Sequence, residues 1–196
     1  MKYMIGPPKL PNFQPIIQVY FDEMFKLAQQ LFALFVKVLN QDNHSDSTNS
    51  NHIIRYDTPM SSFNLVRYPA SNDQNGGLGI SDHTDWELFT LLYPSFYPFQ
   101  QNVPNYTGLE VWFGNQWIQV PRRPGTIIVN QGEMLSRFSN GRFRAPVHRV
   151  VARNQCERYS LVSFWAPNYE TLLPENNVAS KHIFCGEHYL IRNNIV

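Results

Sequence analysis

Hydrophobic positions recur along this chain with two different periods. Over residues 13–39, Ile16, Ile17, Tyr20, Met24, Leu27, Leu31, Leu34, Phe35 and Val38 return at three- and four-residue steps. That spacing predicts a helix with one broad apolar face. Pro15 falls in the first turn, where a missing N–H is tolerated. Residues 40–51 are almost wholly polar and predict a loop.

From Ser61 onward the apolar runs become short and are cut by turn residues. Residues 63–68, 78–80, 88–93, 109–113, 116–120, 126–129, 147–152 and 159–165 read as strands. Gly114-Asn115 between two of these runs predicts a two-residue hairpin turn with positive φ. Asn75-Gly76-Gly77, Pro124-Gly125 and Asn140-Gly141 mark further turns. Residues 94–106, rich in proline and aromatics, predict a long loop, and residues 187–192 a short final helix. Many short, closely spaced strands predict a mainly β protein, a sandwich or a barrel, preceded by a long α-helix.

The length of 196 residues fits one core. The expected division is residues 1–59 as helix and polar loop, 60–168 as the β domain, and 169–196 as a tail. A formal net charge of +1 gives no electrostatic reason to expect nucleic acid or an anionic membrane surface as partner. Cys156 and Cys185 cannot build a disulfide framework, which points to a reducing compartment. The first residues lack a signal-peptide core, and no apolar run reaches the roughly 18 residues of a membrane span. The cytoplasm is therefore expected, and the triplets at Asn43 and Asn105 are read as chance matches to a glycosylation signal.

The candidate chemistry sits in three places. His83-Thr84-Asp85 puts an imidazole and a carboxylate two residues apart, on the same face of an extended segment. His148, on a strand distant in sequence, supplies a second imidazole. Two histidines and one carboxylate form a facial set that suits Fe(II) and leaves coordination positions open. Arg158 and Ser160, again two apart, suit a carboxylate ligand, because a guanidinium matches carboxylate geometry bidentately. A rival cluster of His182, Cys185 and His188 has zinc-like donors. Gly186 interrupts it and only three donors are present. His44 and His52 lie in the polar loop and are read as solvated.

Taken in order, RYP, HTDWELFTLL, GLEVWFGNQWIQVPRRPGTIIVNQGEML, SNGRFRAPVHRV and ERYSLVSFWAP carry a resemblance. From about Met60 to Pro167 the chain resembles the 2-oxoglutarate/Fe(II) dioxygenase superfamily, in its isopenicillin N synthase-like branch. The segment PNFQPIIQVYFDEMFKLAQQLFALF is similar to the helix that precedes the core there, and CGEHYLIR to the family's terminal segment. The resemblance implies a double-stranded β-helix (jelly roll) with His83, Asp85 and His148 as Fe(II) ligands. It implies that Arg158 and Ser160 bind the distal carboxylate of 2-oxoglutarate, with Tyr68 hydrogen-bonding the cosubstrate or substrate. Asn64, Phe89, Leu91 and Trp165 are the pocket-lining candidates.

The implied reaction oxidises a small organic substrate with O2, most commonly by hydroxylation, releasing succinate and CO2, with ascorbate sustaining activity. Two departures qualify it. Family members usually carry a further N-terminal region, and the interval from Asp85 to His148 is longer than usual, with residues 94–106 as the apparent insertion. The alternative expectation is an N-terminally truncated remnant that binds metal and cosubstrate without catalysis. A narrower one is an oxygenase of the same branch that needs no 2-oxoglutarate.

Overall fold

The helical period is realised as α1 (Phe13–Gln41) in a computed structural model that describes residues 10–41, 54–70, 77–95, 106–152, 157–174 and 183–192. The chain forms two units, residues 1–50 and 51–196. In the first, α1 buries Ile17, Phe21, Met24, Ala28, Phe32 and Leu39, a stripe at helical spacing. The stripe is rotated from the expected face. Ile16 and Leu34 are exposed, while Ala28 is fully buried.

Among the described residues of the second unit, ten strands and two short helices follow. They are β1 (Met60–Tyr68), β2 (Leu78–His83), β3 (Phe89–Pro94), β4 (Tyr106–Phe113), β5 (Gln116–Pro121), β6 (Ile128–Gln131), α2 (Glu133–Phe138), β7 (His148–Val151), β8 (Arg158–Ala166), β9 (Leu172–Leu173), β10 (Ile183–Phe184) and α3 (Cys185–Arg192). One four-stranded antiparallel sheet has the order β1-β8-β3-β6, and a second has β2-β7-β4-β5. A small ladder pairs β9 with β10. Tyr68 from the first sheet packs with Leu109 and Val150 from the second, and Val66, Val120 and Ile128 from both sheets close around them. The two sheets thus share one apolar interior, and the architecture is a mainly β jelly roll.

Each predicted strand appears, displaced by a few residues at its ends. The β4–β5 hairpin turns on Gly114 at φ +57° and Asn115 at φ +62°, two positive values that match the twist of the flanking strands. Asn140 and Gly141 likewise take φ +50° and +81°. The strand expected at 126–129 runs instead over β6, and α2 follows it directly. The final helix begins at Cys185 and not at Glu187. The loops expected at 40–51 and 94–106 lie almost wholly outside the described residues.

Register decides which side chains face the interior. β1 and β8 pair without a break from Met60↔Ala166 to Tyr68↔Arg158. β3 joins β8 through Phe89↔Trp165, Thr90↔Phe164 and Leu91↔Ser163. Paired residues in an antiparallel ladder share a face, and alternate residues share it again. One face therefore carries Tyr68, Val66, Ser62, Arg158, Ser160, Val162, Phe164 and Thr90. This is the interior face, since Tyr68 and Val66 lie in the cluster common to both sheets. The other carries Phe89, Leu91, Ser163 and Trp165.

Candidate metal centre

Three elements of the second unit converge on one spot. β2 ends at His83, Asp85 follows two residues on, and β7 begins at His148, paired with His83. The ligand atoms of these three side chains all lie within 4.8 Å of one another. His148 Nε2 is 3.5 Å and His83 Nε2 3.8 Å from Asp85 Oδ1. The two imidazoles sit with centroids 4.2 Å apart.

The surroundings set the role of each atom. His83 Nδ1 lies 2.7 Å from the Ser81 carbonyl, and His148 Nδ1 lies 3.1 Å from the Pro146 carbonyl. A carbonyl oxygen only accepts, so each Nδ1 carries the proton and each Nε2 keeps its lone pair. Burial holds the His148 imidazole below its usual pKa, although Asp85 pulls the other way. Asp85 Oδ2 accepts 2.6 Å hydrogen bonds from Thr90 Oγ1 and Asn130 Nδ2, which leaves Oδ1 for the histidine side. Asp85 and His148 are buried, and His83 is more open. Two unprotonated ring nitrogens and one oriented carboxylate oxygen fit a divalent cation that accepts mixed nitrogen and oxygen ligands.

Thr90 and Asn130, which hold the Asp85 carboxylate, are positions that sequence reasoning did not find. Thr90 follows Asp85 by five residues and Asn130 by 45, a spacing with no signal of its own. Residues that orient a ligand typically change metal affinity about 10- to 100-fold when lost. Thr90→Val combined with Asn130→Leu is expected to weaken Fe(II) binding by a factor in that range, roughly, while His83 and His148 remain in place. An equilibrium Fe(II) titration of the variant against the wild type measures this.

The anion-binding candidates meet on the interior face of the first sheet. Arg158 is buried at the start of β8, with Nη1 3.4 Å from Ser160 Oγ. Its guanidinium lies 3.7 Å above the centroid of the Tyr68 ring. Burial raises the Tyr68 pKa, and Arg158 opposes that shift. Gly108, at φ +78°, makes room for the arginine, since a Cβ there would collide with Arg158 Nη2. Arg158 and Ser160, expected to bind a carboxylate, and Tyr68, expected to hydrogen-bond the cosubstrate or substrate, thus share one neighbourhood on the interior face.

The pocket expectation needs correcting. Phe89, Leu91 and Trp165 are fully buried on the opposite face of the sheet from Thr90, Ser160 and Arg158. They pack the core and do not face the metal side, because each is one residue out of phase with the interior positions. Asn64 shares the interior face but is exposed. The interior residue of β8 nearest the metal side is Phe164, paired with Thr90. Counting by twos from Arg158 and Ser160 reaches it.

A cavity of about 350 Å³ opens there, lined by Ser62, Met60, Phe164, Glu87, Tyr169 and Tyr189 among others. Burial pushes the Glu87 carboxyl up to about 7, with the nearby Asp85 and Glu133 charges adding to the shift.

Among the described residues, the His83, Asp85 and His148 group is the one triad whose donor atoms converge. The rival zinc cluster is not assembled among them. His182 lies outside the described residues, burial pushes the Cys185 thiol up to about 12, and His188 Nε2 is buried without a hydrogen-bond partner. Burial, with Arg137 and Arg192 nearby, lowers the His188 pKa from 6.5 to about 4. As pH falls, the unfolded chain takes up this proton first, so stability is present above 6.5 and is lost progressively towards 4. Thermal melts across that range should show a smaller acid loss for His188→Gln than for the wild type.

Comparison with known proteins agrees with this geometry. The family model described as 2OG-Fe(II) oxygenase superfamily matches residues 48–167. Gibberellin 2-beta-dioxygenase 5 of rice (Oryza sativa subsp. japonica) is 31% identical over 150 residues, covering 76% of this chain and 40% of that protein. Homoarginine-6-hydroxylase 2-ODD-C23 of soybean (Glycine max) is 30% identical over 202 residues, covering 95% and 59%. The chain thus spans about half the length of these relatives. In fold it is similar to the crystal structure of the dioxygenase for auxin oxidation in rice, with a TM-score of 0.70 at 21% identity, covering 97% of this chain and 61% of that one. With a family match across the β core and a triad of ligand atoms at its interior face, the chain belongs to the 2OG-Fe(II) oxygenase superfamily.

Proposed function

We propose that this chain is an Fe(II)- and 2-oxoglutarate-dependent oxidoreductase of the isopenicillin N synthase-like branch. It hydroxylates a small organic substrate: R–H, O2 and 2-oxoglutarate give R–OH, succinate and CO2. The observation that carries this reading is the convergence of the His83, Asp85 and His148 ligand atoms, with Arg158 on the interior face of the opposing sheet. Residues 60–168 would hold this equipment, with residues 1–59 and 169–196 flanking it. The two sequence relatives are named for a gibberellin and for homoarginine, so the shared feature is the oxidation and not the substrate.

Iron, when bound, supplies the redox chemistry that activates O2. The chain's own residues do the rest. His83, Asp85 and His148 would hold the ion through Nε2, Oδ1 and Nε2, with Thr90 and Asn130 fixing the carboxylate. Arg158 and Ser160 would take the distal carboxylate of 2-oxoglutarate, and Tyr68 supports the guanidinium from below. Phe164 and the cavity beyond it would place the target C–H bond.

No described helix is long and apolar enough to cross a membrane. With two cysteines and a near-neutral charge, the cytoplasm is the proposed location, with substrate and O2 as partners and neither nucleic acid nor membrane.

Anaerobic loading with Fe(II), followed by 2-oxoglutarate, ascorbate, O2 and a panel of small substrates, is expected to produce succinate. Binding of both cofactors without any succinate, coupled or uncoupled, would instead support the non-catalytic remnant.

A further inference from the structure

Glu87 is 7% exposed and lines the cavity, with no ion pair to a described cationic side chain. Its hydrogen-bond support comes from backbone, at Trp86 and at Glu87 itself. The two acids beside it are each accounted for. Asp85 belongs to the metal ligand set and accepts from Thr90 and Asn130, and Glu133 pairs with Arg192. Of these three acids, Glu87 alone has neither a place in the ligand set nor a cationic side chain against it among the described residues. A buried carboxylate in a largely apolar cavity is costly unless a partner arrives to meet it.

The remaining walls suit such a partner. Phe164, Tyr169 and Tyr189 bring three aromatic rings to the lining, Met60 and Leu190 add apolar surface, and Ser61 and Ser62 are the neutral polar residues there. No described lysine or arginine lines the cavity. Aromatic faces attract organic cations, all the more where water is excluded. Tyr169 is held in place by the close approach of Gly186, where a Cβ would collide with its ring. One lining residue, Phe164, is paired with Thr90, the residue that orients Asp85, and another, Glu87, follows Asp85 by two residues, so the cavity adjoins the segments that carry the metal ligand set.

We propose that this cavity is the substrate pocket and selects a small molecule carrying a cationic nitrogen, an ammonium or guanidinium, with Glu87 as its counter-anion and Phe164, Tyr169 and Tyr189 as its walls. The proposal deepens the oxygenase reading and rests on it for the reaction, but not for the binding preference. A volume of about 350 Å³ accommodates a ligand of one ring or a short chain.

Three probes of one shape test it: 2-phenylethylammonium, 2-phenylethanol and phenylacetate, each titrated calorimetrically into the 196-residue chain with and without Fe(II) and 2-oxoglutarate. The ammonium is expected to bind about tenfold or more tighter than the alcohol, with phenylacetate weakest. In Glu87→Gln, checked for folding by its melting temperature, that preference should shrink to within about threefold. Equal affinities in the wild type, no detectable ammonium binding, or a preference untouched by Glu87→Gln would overturn the proposal. The visible absorption of an Fe(II)–2-oxoglutarate complex is a separate readout. Its failure to appear would count against the metal reading, while the calorimetric preference would still decide this one.

Discussion

Asp85→Ala is expected to abolish tight Fe(II) binding and to lower succinate formation by at least ~100-fold, the largest effect of any single change in the chain. Three properties meet at this carboxylate. It is the one acidic member of the triad, it lies close to both histidine Nε2 atoms, and it is fixed by hydrogen bonds from Thr90 and Asn130. Its removal leaves two imidazole ligands and no negative charge, too little to hold a divalent ion tightly against water. It also leaves the Thr90 and Asn130 donors unpaired, at a cost to stability of about 1–3 kcal/mol. Asp85→Glu separates the two effects, because it keeps the charge while displacing the oxygen by one methylene. It should restore part of the Fe(II) affinity with little of the turnover, as read by metal titration and succinate assay together.

Arg158→Met should weaken 2-oxoglutarate binding by about two orders of magnitude while leaving Fe(II) affinity near the wild-type value. The guanidinium is buried and stacked on Tyr68, and the backbone makes room for it at Gly108. A guanidinium matches a carboxylate bidentately, and methionine fills its volume without the charge or the donors. The prediction is a rise in KM for 2-oxoglutarate with a matching rise in Kd. Unchanged 2-oxoglutarate affinity would remove the cosubstrate role and favour an oxygenase of the same branch that works without it.

The parts of this protein that were legible in its sequence are those governed by local rules. Alternation and turn chemistry located the eight longer strands, and the positive φ of Gly114 and Asn115 followed from their place between two apolar runs. The pairs His83/Asp85 and Arg158/Ser160 were legible because a strand repeats its face every second residue. The pocket residues were missed by neglecting that same rule. Leu91 and Trp165 are conspicuous apolar residues, but they are out of phase with Thr90 and Ser160, so the ladder turns them to the other side. The helix α2 was missed because six residues are too few to show a helical period. The contact of Asn130 with Asp85 and the approach of α3 to Glu87 depend on tertiary closure, and no local pattern announces them.

The central claim is that one ferrous ion and one 2-oxoglutarate bind together at His83, Asp85 and His148 beside Arg158. Anaerobic titration of the chain with Fe(II) and then 2-oxoglutarate, followed by visible absorption, tests it most directly. The account predicts saturation at one Fe(II) per chain and a new absorption band that needs both components and is absent in Asp85→Ala. A folded wild-type chain that develops no such band, or one whose band survives in Asp85→Ala, would contradict it.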